Sequence, residues 1–141
     1  MSDKTFIDTN ILIYAHDVDG GARRQIAKTV LSDLWRERTG VLSMQVLQEF
    51  YVNVTRKIAT PLSKDVARLV VNSYAIWCIE TTPAEISAAF RIEDESGIGF
   101  WDALIVSSAV KSGATQILSE DLNSGQRIAG VVIANPFVGV Q

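Results

Sequence analysis

Four acidic residues of this chain lie beside large apolar side chains, in positions where a solvated surface carboxylate is uncommon. They are Asp8, Glu49, Asp102 and Asp121. Each has phenylalanine, isoleucine, leucine or tryptophan within two positions along the chain. Because burying an unpaired charge is costly, such acids need a partner that compensates their charge. We expect the four carboxylates to meet in one site, and we call them the acidic cluster.

The chemistry of such a site follows from the repulsion between its charges. Two close carboxylates repel each other by roughly 4 kcal/mol at an effective dielectric of about 20, and proton uptake or a bound cation relieves this repulsion. Mg²⁺ and Mn²⁺ prefer oxygen ligands, and the single histidine and single cysteine offer no competing nitrogen or sulfur site. Pairs of such ions about 3.5–4 Å apart promote phosphodiester hydrolysis. The acidic cluster therefore predicts a Mg²⁺ or Mn²⁺ site and this reaction.

The elements that position these acids are indicated by hydrophobic periodicity. Short apolar runs alternate with helical segments, which is typical of βαβ units. We expect strands at residues 5–7, 41–42, 77–80, 116–118 and 131–133, and helices at 11–16, 22–38, 46–58, 63–75, 83–95 and 100–111. A capping box, Thr82-Pro83-Ala84-Glu85, marks one helix start. The pattern predicts an α/β fold with a parallel sheet, whose ligands bind beyond the carboxyl ends of the strands.

The composition is that of one globular domain over residues 1–141. The chain is 48% hydrophobic and 21% charged with a net charge of -3, which excludes intrinsic disorder. No apolar stretch reaches the length of a membrane span, and Asp3 and Asp8 interrupt any secretory signal, so we expect no membrane association. With Cys78 as the only cysteine, a reducing compartment and hence the cytoplasm is the expected location. The small negative charge argues against nucleic-acid binding through Lys and Arg alone.

Four segments, in order and spacing, resemble PIN-domain ribonucleases, and among these most closely the VapC-type toxins of prokaryotic toxin–antitoxin pairs. The segments are FIDTNIL at 6–12, LQEFY at 47–51, GFWDALI at 99–105, and LSEDL at 118–122 followed by NPF at 135–137. The match runs over nearly the whole chain. It implies a PIN-like three-layer α/β/α fold with a central parallel sheet of four to five strands.

The resemblance also implies roles for individual residues. Asp8, Glu49, Asp102 and Asp121 would be the catalytic and metal-binding acids of a Mg²⁺- or Mn²⁺-dependent endoribonuclease that leaves a 5′-phosphate and a 3′-hydroxyl. The polar residues that would orient carboxylates, water or phosphate are Thr9, Asn10 and Ser119. Where one common variant of the family has a further acid, this chain has Asn123, so no fifth carboxylate ligand is expected. We expect Glu120 to be exposed, because its side chain should point away from that of Asp121.

The partners implied by the resemblance are an RNA substrate, a small cognate antitoxin and a second copy of the chain. Relatives usually form homodimers, and the antitoxin tail enters the acidic site, often with an arginine. Two other functions remain open from the residues. One is an aspartyl-nucleophile phosphotransferase using Asp8, although Asn10 lies where such enzymes have a second acid. The other is a non-catalytic receiver or binding module with an acidic pocket.

Three further side chains invite a functional interpretation. Phe100 and Trp101 could stack on nucleic-acid bases, but in so apolar a helix we expect them in the core. His16 could act as a general base, but a lone histidine near a helix end is expected to be a surface or capping residue. The basic residues between Arg23 and Lys57 are expected to form solvated helix faces, with one or two touching phosphate.

Overall fold

A computed structural model describes residues 3–140 of the chain. Its elements in chain order are β1 (Lys4–Ile7), α1 (Thr9–His16), α2 (Ala22–Glu37), β2 (Gly40–Val41), α3 (Met44–Arg56), α4 (Lys64–Tyr74), α5 (Pro83–Ser96), α6 (Phe100–Ser112), β3 (Ala114–Leu118), β4 (Arg127–Ile128) and β5 (Val131–Ala134). A short 3-10 turn, Ala75–Trp77, follows α4. Within the described range no helix has the length and apolar content needed to cross a membrane.

The strands form one sheet in the order β2-β1-β3-β5-β4, parallel except for β4, which runs antiparallel to β5. Four strand side chains, Phe6, Ile7, Ile117 and Ile133, are at most 1% exposed, as expected for strands covered on both faces. In the parallel register Ile7 pairs with Leu118, and Leu118 with Ala134. The residues that follow β1 and β3 therefore emerge side by side at one edge of the sheet.

The helices cover the sheet in two groups. Helix α1 contacts α2 and α3, and α3 contacts α4, whereas α5 packs against α6 and α6 contacts β1, β3 and β5. The three-layer α/β/α fold expected from the sequence is confirmed. The capping box is also present: the Thr82 hydroxyl accepts a hydrogen bond from the Ala84 amide at 3.3 Å, and the Glu85 carboxylate accepts one from the Thr82 amide at 2.6 Å.

One predicted strand is absent from the structure, and one strand of the structure lacks a prediction. Residues 77–80 do not form a strand, because the chain leaves α4 through the 3-10 turn and touches the sheet at a single bridge between Leu42 and Cys78. Only the Leu42 amide to Trp77 carbonyl bond (3.0 Å) and the Ile79 amide to Leu42 carbonyl bond (2.9 Å) are made there. Conversely, β4 was not predicted, because two residues are too few to show an alternating pattern.

Candidate active site

Asp8 lies at the end of β1 and caps helix α1. Its backbone is extended, and its Oδ1 accepts a hydrogen bond of 2.8 Å from the Thr9 amide, the usual work of an N-cap aspartate. Its other oxygen, Oδ2, accepts 2.7 Å from the Ser119 hydroxyl and 3.4 Å from the Asn10 amide nitrogen. The carboxylate is thus fixed from both sides, and the residue is only 6% exposed.

The pKa of Asp8 is raised from its ordinary value of 3.8 to about 6. Burial is the largest cause, and it outweighs the hydrogen bonds from Ser119 and Thr9, which lower the pKa. The negative charges of Asp121 and Glu49 raise it further. Asp8 therefore lies in a field made by two other members of the acidic cluster.

Asn10 links the first turn of α1 to the turn after β3. Its side-chain nitrogen donates to Asp121 Oδ2 at 3.1 Å as well as to Asp8, and its Oδ1 accepts from the Glu120 amide at 3.2 Å. On the β3 side, the Asp121 amide donates to the Ser119 hydroxyl at 3.1 Å. Two polar side chains thus hold Asp8 and Asp121 next to each other, although these acids are more than a hundred residues apart in the chain.

Glu49 and Asp102 complete the acidic cluster from α3 and α6. The exposed Glu49 accepts a hydrogen bond of 3.1 Å from the Thr9 hydroxyl. Asp102 lies in the first turn of α6, where the helix dipole favours an anion. Burial raises the pKa of Asp102, and the charge of Asp121 raises it further. The structure therefore places Asp8 in the field of Glu49 and Asp121, and Asp102 in the field of Asp121.

The acidic cluster has no counter-charge from the protein in the part of the chain that the structure describes. The ion pairs there join Arg23 to Glu120, Arg36 to Asp33 and Lys111 to Glu85, and none involves the four acids. Carboxylates without a cationic partner match the all-oxygen ligand set of Mg²⁺ or Mn²⁺. No three acidic, histidine or cysteine side chains within residues 3–140 are close enough to share one ion. The arrangement suits Mg²⁺, which keeps several waters and commonly takes only one or two carboxylates.

The structure corrects the prediction for Glu120. Its side chain is 23% exposed and accepts hydrogen bonds of 2.6 Å from both the Tyr14 hydroxyl and Arg23 Nε. Burial would raise the pKa of Glu120, but these two bonds and the Arg23 charge lower it. Glu120 therefore belongs to an ion pair beside the acidic cluster. The amide of Asn123 is exposed and bonds to Gln126 at 3.3 Å, so it makes no hydrogen bond to the four acids.

The structure contradicts the prediction that Trp101 lies in the core and the prediction that His16 is a surface or capping residue. Trp101 is 66% exposed and lies beside Asp102, whereas Phe100 is half-buried. His16 is half-buried as well, with its Nε2 2.9 Å from the Tyr74 hydroxyl and its ring packed edge-on against Phe50. Trp101 is thus a surface residue of the candidate site that sequence reasoning assigned to the core. Its exposure is indicated by its position in the first turn of α6, before the buried residues of that helix, which begin at Ala103.

The sheet and the acidic cluster together define an α/β protein whose candidate site lies beyond the carboxyl ends of parallel strands. The profile of the PIN domain family matches residues 5–130. This chain therefore belongs to the PIN domain family. In a search of curated proteins no sequence matches it.

Several solved structures share the fold. A toxin–antitoxin complex from Klebsiella pneumoniae matches with a TM-score of 0.69 and 18% identity over 94% of this chain and 98% of that one. The structure of VapBC2 from Rickettsia felis bound to a promoter DNA fragment matches with a TM-score of 0.66 and 20% identity, over 93% of this chain and 97% of that one. VapC20 from Mycobacterium tuberculosis, a sarcin-ricin loop cleaving toxin, matches with a TM-score of 0.62 and 18% identity, over 84% of this chain and 90% of that one. At these identities the likeness shows the fold.

Proposed function

We propose that this protein is a Mg²⁺- or Mn²⁺-dependent endoribonuclease and acts in the cytoplasm as the toxin of a toxin–antitoxin pair. The observation that carries the proposal is the acidic cluster at the carboxyl ends of the sheet of a PIN domain. Asp121 raises the pKa of both Asp8 and Asp102, Glu49 raises that of Asp8, and none of the four acids has an ion pair within residues 3–140. The similar solved structures add support, since they come from toxin–antitoxin complexes and from a toxin that cleaves the sarcin-ricin loop.

The proposed roles follow from the contacts of each side chain. Asp8, Glu49, Asp102 and Asp121 would hold the cation, one or two of them directly and the others through its water ligands. The bound cation would supply positive charge to the attacking and leaving oxygens of a phosphodiester. Water attacks phosphorus, the bond to the 3′ oxygen breaks, and the products carry a 5′-phosphate and a 3′-hydroxyl. Asp8, with a pKa of about 6, is mostly ionised at neutral pH. Ser119 and Asn10 orient its Oδ2, and Thr9 orients Glu49.

The alternative of an aspartyl nucleophile is disfavoured by the surroundings of Asp8. Both of its oxygens already accept hydrogen bonds, from the Thr9 amide and the Ser119 hydroxyl, and the residue is only 6% exposed. Two residues on, where such phosphotransferases have a second acid, Asn10 instead donates a hydrogen bond to Asp8 Oδ2 at 3.4 Å. A stable acyl-phosphate on Asp8 after incubation with a phosphate donor would revive that reading, and failure to bind any divalent cation in calorimetry would favour a non-catalytic binding module.

The decisive experiment compares two acid-to-amide variants with a matched control. Wild type, Asp8→Asn, Asp102→Asn and Asp94→Asn are incubated with a panel of defined RNAs in Mg²⁺, Mn²⁺ or EDTA, and the product ends are mapped. Asp94 is exposed on α5, outside the acidic cluster, so its variant should cleave like wild type. The other two should lose cleavage while keeping the helical circular dichroism of the folded protein.

Each outcome of this experiment decides a separate part of the proposal. Wild-type cleavage at an equal rate in EDTA would refute the metal requirement. Cleavage by Asp102→Asn at the wild-type rate would refute the site assignment. A wild-type protein that cuts no RNA with either metal would refute the endoribonuclease.

The proposed partners are a small antitoxin and a second copy of this chain. The four carboxylates have no ion-pair partner within residues 3–140, so they offer a binding site for an arginine of the antitoxin tail. A small DNA-binding protein encoded immediately upstream should copurify when coexpressed and should block cleavage. Light scattering of the purified chain measures whether it is a dimer, and a monomer at micromolar concentration would refute that part.

A further inference from the structure

An open pocket of about 320 Å³ adjoins the acidic cluster. Its lining residues are Gln45, Gln48, Glu49 and Trp101. Glu49 is a member of the acidic cluster, and Trp101 directly precedes another member, Asp102. We call this feature the Trp101 pocket. Whatever binds at the acidic cluster through its phosphate therefore has this pocket within reach of the neighbouring chemical group.

The indole of Trp101 is exposed and also packs against a second aromatic ring, that of Phe100. Trp101 is 66% exposed. Its ring centroid lies 5.2 Å from that of Phe100 in an edge-to-face pair, and the Phe100 centroid lies 5.8 Å from that of Phe90. So large an apolar surface left in water forgoes the stabilisation that its burial would give. A supported aromatic face beside a charged site is suited to stacking on another flat ring.

Two glutamine side chains give the Trp101 pocket its hydrogen-bonding groups. Gln48 is exposed, and its amide makes no hydrogen bond within the described residues. Gln45 donates weakly to the Trp101 carbonyl at 3.4 Å, and its buried Oε1 has no partner among the described residues. An amide is both donor and acceptor, which matches the edge of an unpaired nucleobase, where the two kinds of group stand side by side.

We infer that the Trp101 pocket binds an unpaired base of the RNA substrate, stacked on Trp101 and hydrogen-bonded by Gln48. The inference rests on the proposed ribonuclease function and names the feature of the substrate that this site recognises. A phosphate is a poor occupant, because Glu49 contributes negative charge to the lining. A neutral base avoids that repulsion while its own phosphate points to the acidic cluster.

The test measures RNA binding and cleavage with three kinds of variant. Trp101→Leu removes the ring, Trp101→Phe retains one, and Gln48→Ala removes the amide. Trp35→Leu is the matched control, because Trp35 is also a tryptophan with an exposed side chain (47%) but lies on α2, outside the lining of the Trp101 pocket. Affinity for a short single-stranded RNA is measured by fluorescence anisotropy in EDTA and in Ca²⁺, and cleavage is measured under single-turnover conditions in Mg²⁺.

The expected result is a loss of RNA affinity of about tenfold or more for Trp101→Leu, with partial rescue in Trp101→Phe and no change in Trp35→Leu. The maximal single-turnover rate should change much less than the concentration needed to reach half of it. A set of RNAs with one abasic nucleotide adds a stricter comparison. An abasic nucleotide next to the cleaved bond should lower the RNA affinity of the wild type and should not lower that of Trp101→Leu any further.

Three outcomes would overturn the inference. Unchanged affinity in Trp101→Leu would do so whether or not the protein cleaves RNA. An abasic profile identical in wild type and Trp101→Leu would show that no base contacts the ring. If Trp101→Leu converts a dimer to a monomer and its abasic profile is the same as that of wild type, the pocket is a contact between two copies of the chain. A wild type that binds RNA through Trp101 but does not cleave it would instead refute only the proposed catalysis.

Discussion

Replacing Asp8 with asparagine is expected to stabilise the protein when no divalent cation is present. In the folded chain the pKa of Asp8 is about 6, against 3.8 for an ordinary aspartate, so burial penalises the ionised form. The difference of about two pKa units corresponds to roughly 3 kcal/mol. Asparagine carries no charge and keeps an acceptor for the Thr9 amide, but the Ser119 and Asn10 contacts must rearrange, at a cost of about 1 kcal/mol. We expect a net gain of about 2 kcal/mol.

The pH dependence of this gain has a definite sign. The folded state holds its proton on Asp8 up to a higher pH than the unfolded state does, so ionisation of Asp8 lowers the free energy of unfolding as pH rises. The favourable contribution is fully present below about pH 4 and is lost as pH rises to about 6. The stability difference between Asp8→Asn and wild type should therefore grow over this interval and stay constant above it.

The assay is urea unfolding followed by circular dichroism in EDTA, repeated from about pH 4 to about pH 8. In thermal unfolding at the upper pH, the variant should also melt about 6 °C higher than wild type. Asp94→Asn, an exposed change on α5, is the control and should show no such difference. Adding Mg²⁺ should stabilise wild type by mass action and leave Asp8→Asn less affected. An Asp8→Asn protein that is less stable than wild type in EDTA at the upper pH would refute the reasoning.

Two further substitutions and one titration test other parts of the structure. Glu120→Gln should lower the pKa of Tyr14 from about 12 towards 10, because the hydrogen bond to Glu120 is the main cause of its rise; the ultraviolet absorbance of tyrosinate measures this. His16 should titrate below its usual 6.5 in proton NMR, because burial lowers its pKa, so its contribution to stability is lost as pH falls below about 6.5. Thr82→Ala should cost about 1 kcal/mol in urea unfolding, through the lost helix cap.

Each of these expectations has its own control. Tyr14→Phe identifies which tyrosine transition belongs to Tyr14, and an unchanged transition in Glu120→Gln would mean that the hydrogen bond is not its cause. The unfolded protein in denaturant gives the reference titration of the single histidine, His16, and an identical titration in the folded protein would contradict its burial. Thr82→Ser keeps the hydroxyl acceptor, so an equal loss in both Thr82 variants would rule out the cap as the source.

Much of the fold could be predicted because its signals are local. Proline and glutamate at fixed positions after Thr82 are enough to place the start of α5, and apolar periodicity places the other helices to within a few residues. The expected strand at 77–80 failed for the complementary reason. Its apolar composition is that of a strand, but packing of Trp77, 8% exposed, keeps the chain in a 3-10 turn that only touches the sheet beside Leu42.

For the candidate site, the amino-acid sequence by itself determined which four acids are unusual, since their apolar neighbours are visible along the chain. Only the tertiary structure decided how they are held together. The hydrogen bonds from Ser119 and Asn10 that hold Asp8 beside Asp121 depend on the register that pairs Ile7 with Leu118. The same holds for Trp101, whose exposure depends on which elements pack around the start of α6. Contacts between residues a hundred positions apart depend on strand pairing and helix packing, and local periodicity carries no information about either.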